Sequence, residues 1–424
     1  MDVKMQIDRP KYLNELIVRK NNGLIKVVTG IRRCGKSYLL FTIYKKYLLD
    51  LGIPEDHFIE VAFDFRDNEY LRNPDELCKY INLRIIDKKV YYIFLDEIQF
   101  VQDFEAVLNQ FLRKPNVDIY VTGSNSKFLS SDVITEFRGR GDEIRIHPLS
   151  FSEFYPAYSA LGHGKEDAWI DYYTYGGLAL VLSMRTDAQK SDYLKKLFDE
   201  VYARDIIARN KIKNAGEFNE LLNVISSSIG SLTNPLKLSN TFKSKKGKSV
   251  SSSTILKYLS FAKDAFLINE AQRFDVKGRK HINSAVKYYF EDLGIRNARL
   301  NFRQLEENHI MENAIYNELL FRKFNVDIGV VETREKDRAG KPVRKQLEID
   351  FIANSGNRRY YLQSAYRMDN EAKRVQEKNS LMKVGDSFKK IIIVRDNIKS
   401  YYDENGILII GLLDFLLDDK SLER

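Results

Sequence analysis

Short apolar runs alternate with longer amphipathic stretches through the first third of this chain. Residues 24–28, 58–63, 90–95, 117–121 and 143–146 are rich in Val, Ile, Phe and Tyr and read as strands. Between them, segments such as 36–49 and 74–87 space their apolar residues at helical intervals. Apolar strands alternating with helices predict a parallel sheet covered on both faces, with any ligand at the carboxyl ends of the strands. From residue 148 to about residue 210 the pattern is mostly helical, over 151–155, 167–175 and 188–210.

The next segment changes character. Residues 218–231, 235–242 and 252–265 read as three helices, with Ser251, Ser252 or Ser253 capping the third. Two strands follow, 267–274 and 281–289, joined by the polar turn Lys277-Gly278-Arg279-Lys280. Three helices and then a hairpin is the layout of a winged helix-turn-helix. The last stretch opens with a helix at 309–324. Strands at 326–333, 346–353 and 359–363, a helix at 370–384 and a strand at 390–394 make it a mixed α/β domain.

With 424 residues, 44% hydrophobic and 12% aromatic, the chain can build several well-packed cores. No stretch approaches the roughly 18 apolar residues of a membrane span, and residues 1–10 lack the apolar core of a signal peptide. Cys34 and Cys78 cannot form a disulfide framework, so a cytoplasmic protein without a membrane partner is expected. The net charge of +9 is unevenly spread. Lys243, Lys245, Lys246 and Lys248 form one knot, Lys277, Arg279 and Lys280 a second, and residues 334–345 a third. All fall in the C-terminal half, which points to a polyanion such as double-stranded DNA.

The candidate chemistry begins where the first strand ends. Gly30-Ile31-Arg32-Arg33-Cys34-Gly35-Lys36-Ser37, with Tyr38 behind it, fits G-x-x-x-x-G-K-[ST] between a strand and a helix. In such a loop the glycines let successive N–H groups turn onto phosphate oxygens. Lys36 would reach the β- and γ-phosphates, and the Ser37 hydroxyl would ligate Mg²⁺. Further on, the buried run Tyr91-Tyr92-Ile93-Phe94-Leu95 ends in Asp96 and Glu97. Asp96 would hold the hydration shell of the metal, and Glu97, pointing the other way, would polarise an attacking water.

Several motifs carry a wider resemblance. They are Gly30-Ile-Arg-Arg-Cys-Gly-Lys-Ser37, Leu95-Asp-Glu-Ile-Gln99, Val121-Thr-Gly-Ser-Asn-Ser126 and Phe137-Arg-Gly-Arg140, then Pro148-Leu-Ser-Phe-Ser-Glu-Phe154, Tyr175-Gly-Gly-Leu178 and Tyr288-Tyr-Phe-Glu-Asp-Leu-Gly294. In this order they resemble the AAA+-type P-loop ATPases that carry a C-terminal domain of unknown function with a nuclease-like fold. The likeness spans nearly the whole chain. It implies that Ser124 and Asn125 form the polar sensor of the γ-phosphate or the attacking water. It also implies that Arg140, with Arg138 as the alternate, is an arginine finger often supplied by a neighbouring subunit. Gly176-Gly-Leu-Ala179 stands where the family usually carries Gly-Gly-x-Pro, in a helical lid near the adenine.

For the last domain the resemblance implies a restriction-endonuclease-like core. Its metal-binding positions are Glu312 (or Glu318) on the helix, Asp350 in Glu348-Ile-Asp350, and Gln363 in Leu362-Gln-Ser-Ala365. Ala365 stands where that chemistry needs a lysine, so a degenerate site without nuclease activity is expected.

The expected fold class is therefore α/β. It comprises a P-loop NTPase parallel sheet (1–147), a helical lid (148–212), a winged-helix region (213–298) and a restriction-endonuclease-like mixed α/β domain (299–424). Two functions fit. One is a Mg²⁺-dependent ATPase whose C-terminal half engages DNA, with Thr254, Lys257 and Tyr258 offered to base edges. The other is a nucleotide-gated scaffold with slow ATP turnover and a protein partner. A homo-oligomer is compatible with both.

Overall fold

The computed structural model describes residues 7–123, 139–246, 250–336 and 342–424. The chain forms two compact units, one of residues 1–148 with 264–266, the other of residues 149–263 and 267–424.

The first unit is built on the parallel sheet that the alternation predicts. Its strands are β1 (Ile25–Thr29), β2 (Phe58–Ala62), β3 (Tyr91–Asp96), β4 (Val117–Gly123) and β5 (Gly141–Arg145), in the order β2-β3-β4-β1-β5 with every pair parallel. Every residue of β1 and β3 is buried, as strands covered on both faces must be. Helix Phe104–Leu112, between β3 and β4, places Phe104, Val107, Leu108 and Phe111 on one inward stripe against Ile93, Leu95 and Val121.

One charged residue sits inside the apolar pattern. Lys26 on β1 is fully buried and ion-paired with Asp118 on β4. Asp118 also accepts the Tyr120 hydroxyl at 2.7 Å, and Tyr120 shares a 2.7 Å hydrogen bond with Tyr44. Burial pushes the Lys26 ammonium below the ordinary lysine range, and Asp118 opposes it.

The second unit holds a mixed eight-stranded sheet. Its strands are β6 (Ile268–Asp275), β7 (Lys280–Phe290), β8 (Asn325–Lys336), β9 (Pro342–Ser355), β10 (Arg358–Ala365), β11 (Lys389–Val394), β12 (Tyr401–Tyr402) and β13 (Leu408–Gly411), in the order β12-β13-β11-β10-β9-β8-β6-β7. Three helices, Ala215–Ser227, Pro235–Lys246 and Ser252–Asp264, precede the β6–β7 hairpin in the expected order. Ser251 caps the third, its Oγ accepting the Thr254 N–H at 3.1 Å, and Thr233 bridges Val286 on β7. The hairpin is not a free wing, however. Residues 273–275 of β6 pair in parallel with residues 328–330 of β8, so the sheet crosses the boundary expected at 298/299.

Two glycine motifs of this unit interlock. Asp292 caps helix Leu293–Arg299 by accepting the Ile295 N–H at 2.9 Å, and it also accepts the Gly177 N–H. A Cβ on Gly176, whose φ is +78°, would lie 2.3 Å from Asp292 Oδ1, and one on Gly294 would lie 2.0 Å from the Tyr175 carbonyl oxygen. Only glycine permits so close an approach.

Candidate nucleotide site

β1 leads into the glycine loop at residues 30–37. A Cβ on Gly30 (φ +143°) would lie 2.1 Å from the Ile146 carbonyl oxygen, so the chain leaving β1 passes hard against the chain leaving β5. Arg33 (φ +69°) and Gly35 (φ +99°) adopt left-handed backbone, which turns neighbouring N–H groups into a concavity, and a helix starts at Lys36. That helix runs from Lys36–Tyr38 through a π-helical stretch, Leu39–Tyr44, into Lys45–Asp50. Ile31 and the Cys34 thiol are buried, Arg32 is half-buried, and Arg33, Ser37 and Tyr38 are exposed. Lys36 is buried with its ammonium 3.1 Å from the Gly30 carbonyl oxygen and 3.2 Å from that of Ile31.

The loop has a brace that the sequence did not announce. The buried Arg9 guanidinium donates to the Cys34 carbonyl at 3.1 Å and to the His147 carbonyl at 2.9 Å. It thereby ties the segment before helix Pro10–Arg19 to both the loop and the chain beyond β5.

At the end of β3, Asp96 is 6% exposed and accepts the Ser37 hydroxyl at 2.8 Å on Oδ2 and the Thr122 hydroxyl on Oδ1. Burial pushes its carboxyl above the usual range, against those two hydrogen bonds. Glu97 follows in left-handed backbone (φ +53°), its N–H donating to Thr122 Oγ1 at 2.9 Å and its Oε2 accepting the Gln99 amide. Thr122 therefore grips both acids. Ser37 and Asp96 offer hard oxygen donors of the kind Mg²⁺ takes. Among the described residues, no group of three or more His, Cys, Asp or Glu could hold a metal.

Ser124, Asn125 and Arg138 lie outside the described residues. Arg140 directly precedes β5. Its carbonyl accepts the Ile25 N–H at 2.8 Å and its guanidinium lies 3.4 Å from Asn109 Oδ1. Since Gly141 pairs with Ile25 and Arg145 with Thr29, Arg140 sits at the amino ends of the strands, roughly 20 Å along the sheet from where the loop begins. It cannot reach the loop of its own chain.

In the second unit, Lys243, Lys277, Arg279 and Lys280 are exposed. Lys277 also donates to the Glu332 carbonyl at 2.9 Å, which anchors the turn. Lys248 and the side chains of Lys245 and Lys246 lie outside the described set. Tyr258 is not available to a base edge: it is buried, with its ring edge-on to Phe218.

The nuclease-like positions hold a second departure. Glu312 on helix Glu307–Phe321 and Asp350 on β9 do meet, and Glu348 joins them. Between them lies the buried Lys287 ammonium of β7, 2.9 Å from Glu312, 2.7 Å from Glu348 and 3.9 Å from Asp350. The Tyr289 hydroxyl donates to Glu312 at 2.6 Å. A lysine is thus present after all, from a different strand, while Ala365 packs in the apolar core. Although burial acts to lower it, Glu312, Asp350 and Glu348 raise the Lys287 ammonium above the ordinary lysine range. Asp350 is pushed well up by burial and by Glu312. Gln363 turns to helix Glu371–Met382, accepting the Ser380 hydroxyl at 3.5 Å, and Glu318 pairs with Arg322 at 2.7 Å.

The pattern of an AAA domain matches residues 22–155, and that of a domain of unknown function (DUF8612) matches residues 166–306. An uncharacterized protein of Haemophilus influenzae is 31% identical over 421 residues, covering 98% of this chain and 99% of that protein. One from Methanocaldococcus jannaschii is 28% identical over 410 residues, covering 94% of this chain and 85% of that protein. Among solved structures, the Aeropyrum pernix ORC1 protein in complex with DNA is similar at 13% identity and a TM-score of 0.30, over 70% of this chain and 94% of that one.

Proposed function

We propose that this chain, which belongs to one family with the Haemophilus influenzae protein and matches an AAA domain over residues 22–155, binds ATP with Mg²⁺ and hydrolyses it. The observation that carries the reading is the meeting of Ser37 and Thr122 on Asp96, which joins the helix that starts at Lys36, β3 and β4. Ser37 and Asp96 would hold Mg²⁺, which would supply neutralisation of the charge on the phosphates. Lys36 exchanges the carbonyls of Gly30 and Ile31 for phosphate oxygens. Glu97 takes the proton of the attacking water. Ser124 and Asn125 act as the sensor. Arg140, which cannot serve its own loop, stabilises the transferring phosphoryl on a neighbouring copy.

We read residues 148–212 as a helical lid and 213–298 as a winged-helix-like region whose hairpin continues into the sheet of a restriction-endonuclease-like core, 299–424. Lys243, Arg279 and Lys280 would contact duplex phosphates, with an affinity that falls steeply with salt. The nuclease-like core is inactive, since the Lys287 ammonium fills the space among the three acids. Burial of Tyr258 favours a second reading, a scaffold with a protein partner, because the third helix is left with little for base edges. The experiment that separates them is the ATPase rate with and without double-stranded DNA at low and high salt. Stimulation that vanishes at high salt supports DNA engagement. An unchanged rate at low salt, with no duplex bound, supports the scaffold.

A further inference from the structure

Gln99 lies two residues beyond Glu97, in the short turn Ile98–Phe100. Its carboxamide N–H donates to Glu97 Oε2. Its carboxamide oxygen is buried and accepts no hydrogen bond. A glutamine that serves only the fold is ordinarily satisfied at both ends, because a buried acceptor without a donor costs free energy. Here the carboxylate dictates the orientation: turning the amide over would set its oxygen against that of Glu97. The other end of Glu97 is fixed as well, by left-handed backbone and by the N–H bond to Thr122.

We propose that Gln99 is a positioning residue for Glu97, its carboxamide holding one carboxylate oxygen and so fixing the direction in which the carboxylate meets the attacking water. The inference rests on the hydrolysis reading above. An amide spent on one carboxylate, with its oxygen left unpaired, is a cost to the fold that positioning of a base explains and loop stitching does not.

The test uses the full chain and three readouts: the melting midpoint without nucleotide, the affinity for a fluorescent ATP analogue, and steady-state ATPase kinetics. Gln99→Leu keeps the bulk but removes both the N–H donor and the unpaired oxygen. Its melting midpoint should equal or exceed that of the wild type, and its analogue affinity and KM should stay within about twofold, while kcat falls by about tenfold or more. Gln99→Glu, of equal length but with a like charge facing Glu97, should lose kcat as well. Wild-type kcat in Gln99→Leu would overturn the proposal. So would a lost kcat accompanied by a lowered melting midpoint, which is the mark of a purely structural glutamine. The Glu97→Gln variant separates the two levels. If it turns over at the wild-type rate, or if the wild-type chain itself hydrolyses no ATP, the hydrolysis reading falls and takes this inference with it. If Glu97→Gln is inactive and Gln99→Leu is normal, only the role of Gln99 falls.

Discussion

The carboxylate of Asp292 accepts the backbone N–H of Gly177 at 2.8 Å, joining residues 115 apart in the chain. Burial pushes this carboxyl from its ordinary 3.8 up to about 6, against hydrogen bonds from Ile295, Gly177 and Gly294. Because the folded value lies above the unfolded one, the unfolded chain releases this proton first as pH rises. Stability should therefore fall between pH 3.8 and about 6, by about 3 kcal/mol, and this contribution should level off above that window. Chemical denaturation of wild type and Asp292→Asn across about pH 4–7 checks it. The difference between the two curves should carry that slope, and parallel curves would count against it.

Gly176 supplies a sharper steric test. Gly176→Ala should cost about 3 kcal/mol or more, since the new methyl meets Asp292 on top of unfavourable backbone. Gly162 is the control: its φ is +91°, but a Cβ there meets nothing within 4 Å. Gly162→Ala should cost only the backbone strain, about 1–2 kcal/mol. Equal losses in thermal denaturation would mean that the contact with Asp292 contributes nothing.

Removing the Lys287 ammonium leaves Glu312, Glu348 and Asp350 without their cation. Lys287→Met should lower stability by about 3–5 kcal/mol. Adding Glu312→Gln should recover part of the loss, because one of the stranded charges is gone. Strict additivity of the two substitutions would contradict the close ion pair.

At the nucleotide site, Lys36→Ala should abolish ATP binding, and Glu97→Gln should bind ATP without turnover. Equilibrium binding and phosphate release separate the two effects.

Thr122→Val is nearly isosteric and removes the hydroxyl shared by Asp96 and Glu97. It should reduce kcat by about 10–100-fold with little change in ATP affinity. Unchanged kinetics would mean that the hydroxyl merely fills space.

The first sheet was legible because its strands are buried on both faces, so β1 to β4 announce themselves as apolar runs. Lys26 broke that rule for a reason no local window contains: its partner Asp118 arrives only when β1 and β4 pair. In the site, Lys36, Ser37, Asp96 and Glu97 lie in contiguous motifs and could be read directly. Thr122 and Gln99 lay in plain view within the same motifs, but their roles depend on the left-handed turn at Glu97. Arg9 and Lys287 gave no signal, since each reaches its partners from a distant element. Ala365 offers no cation, and the ammonium among these acids comes instead from Lys287 on β7.

The ion pairs of Lys287 also bear on how this half of the chain can be inherited. Divided between residues 298 and 299, one fragment would keep a buried ammonium and the other three acids, each stranded without its opposite charge. Recombination at that point would yield two poorly folding pieces rather than two portable modules. The hairpin and the sheet that follows it should therefore fold only as one block.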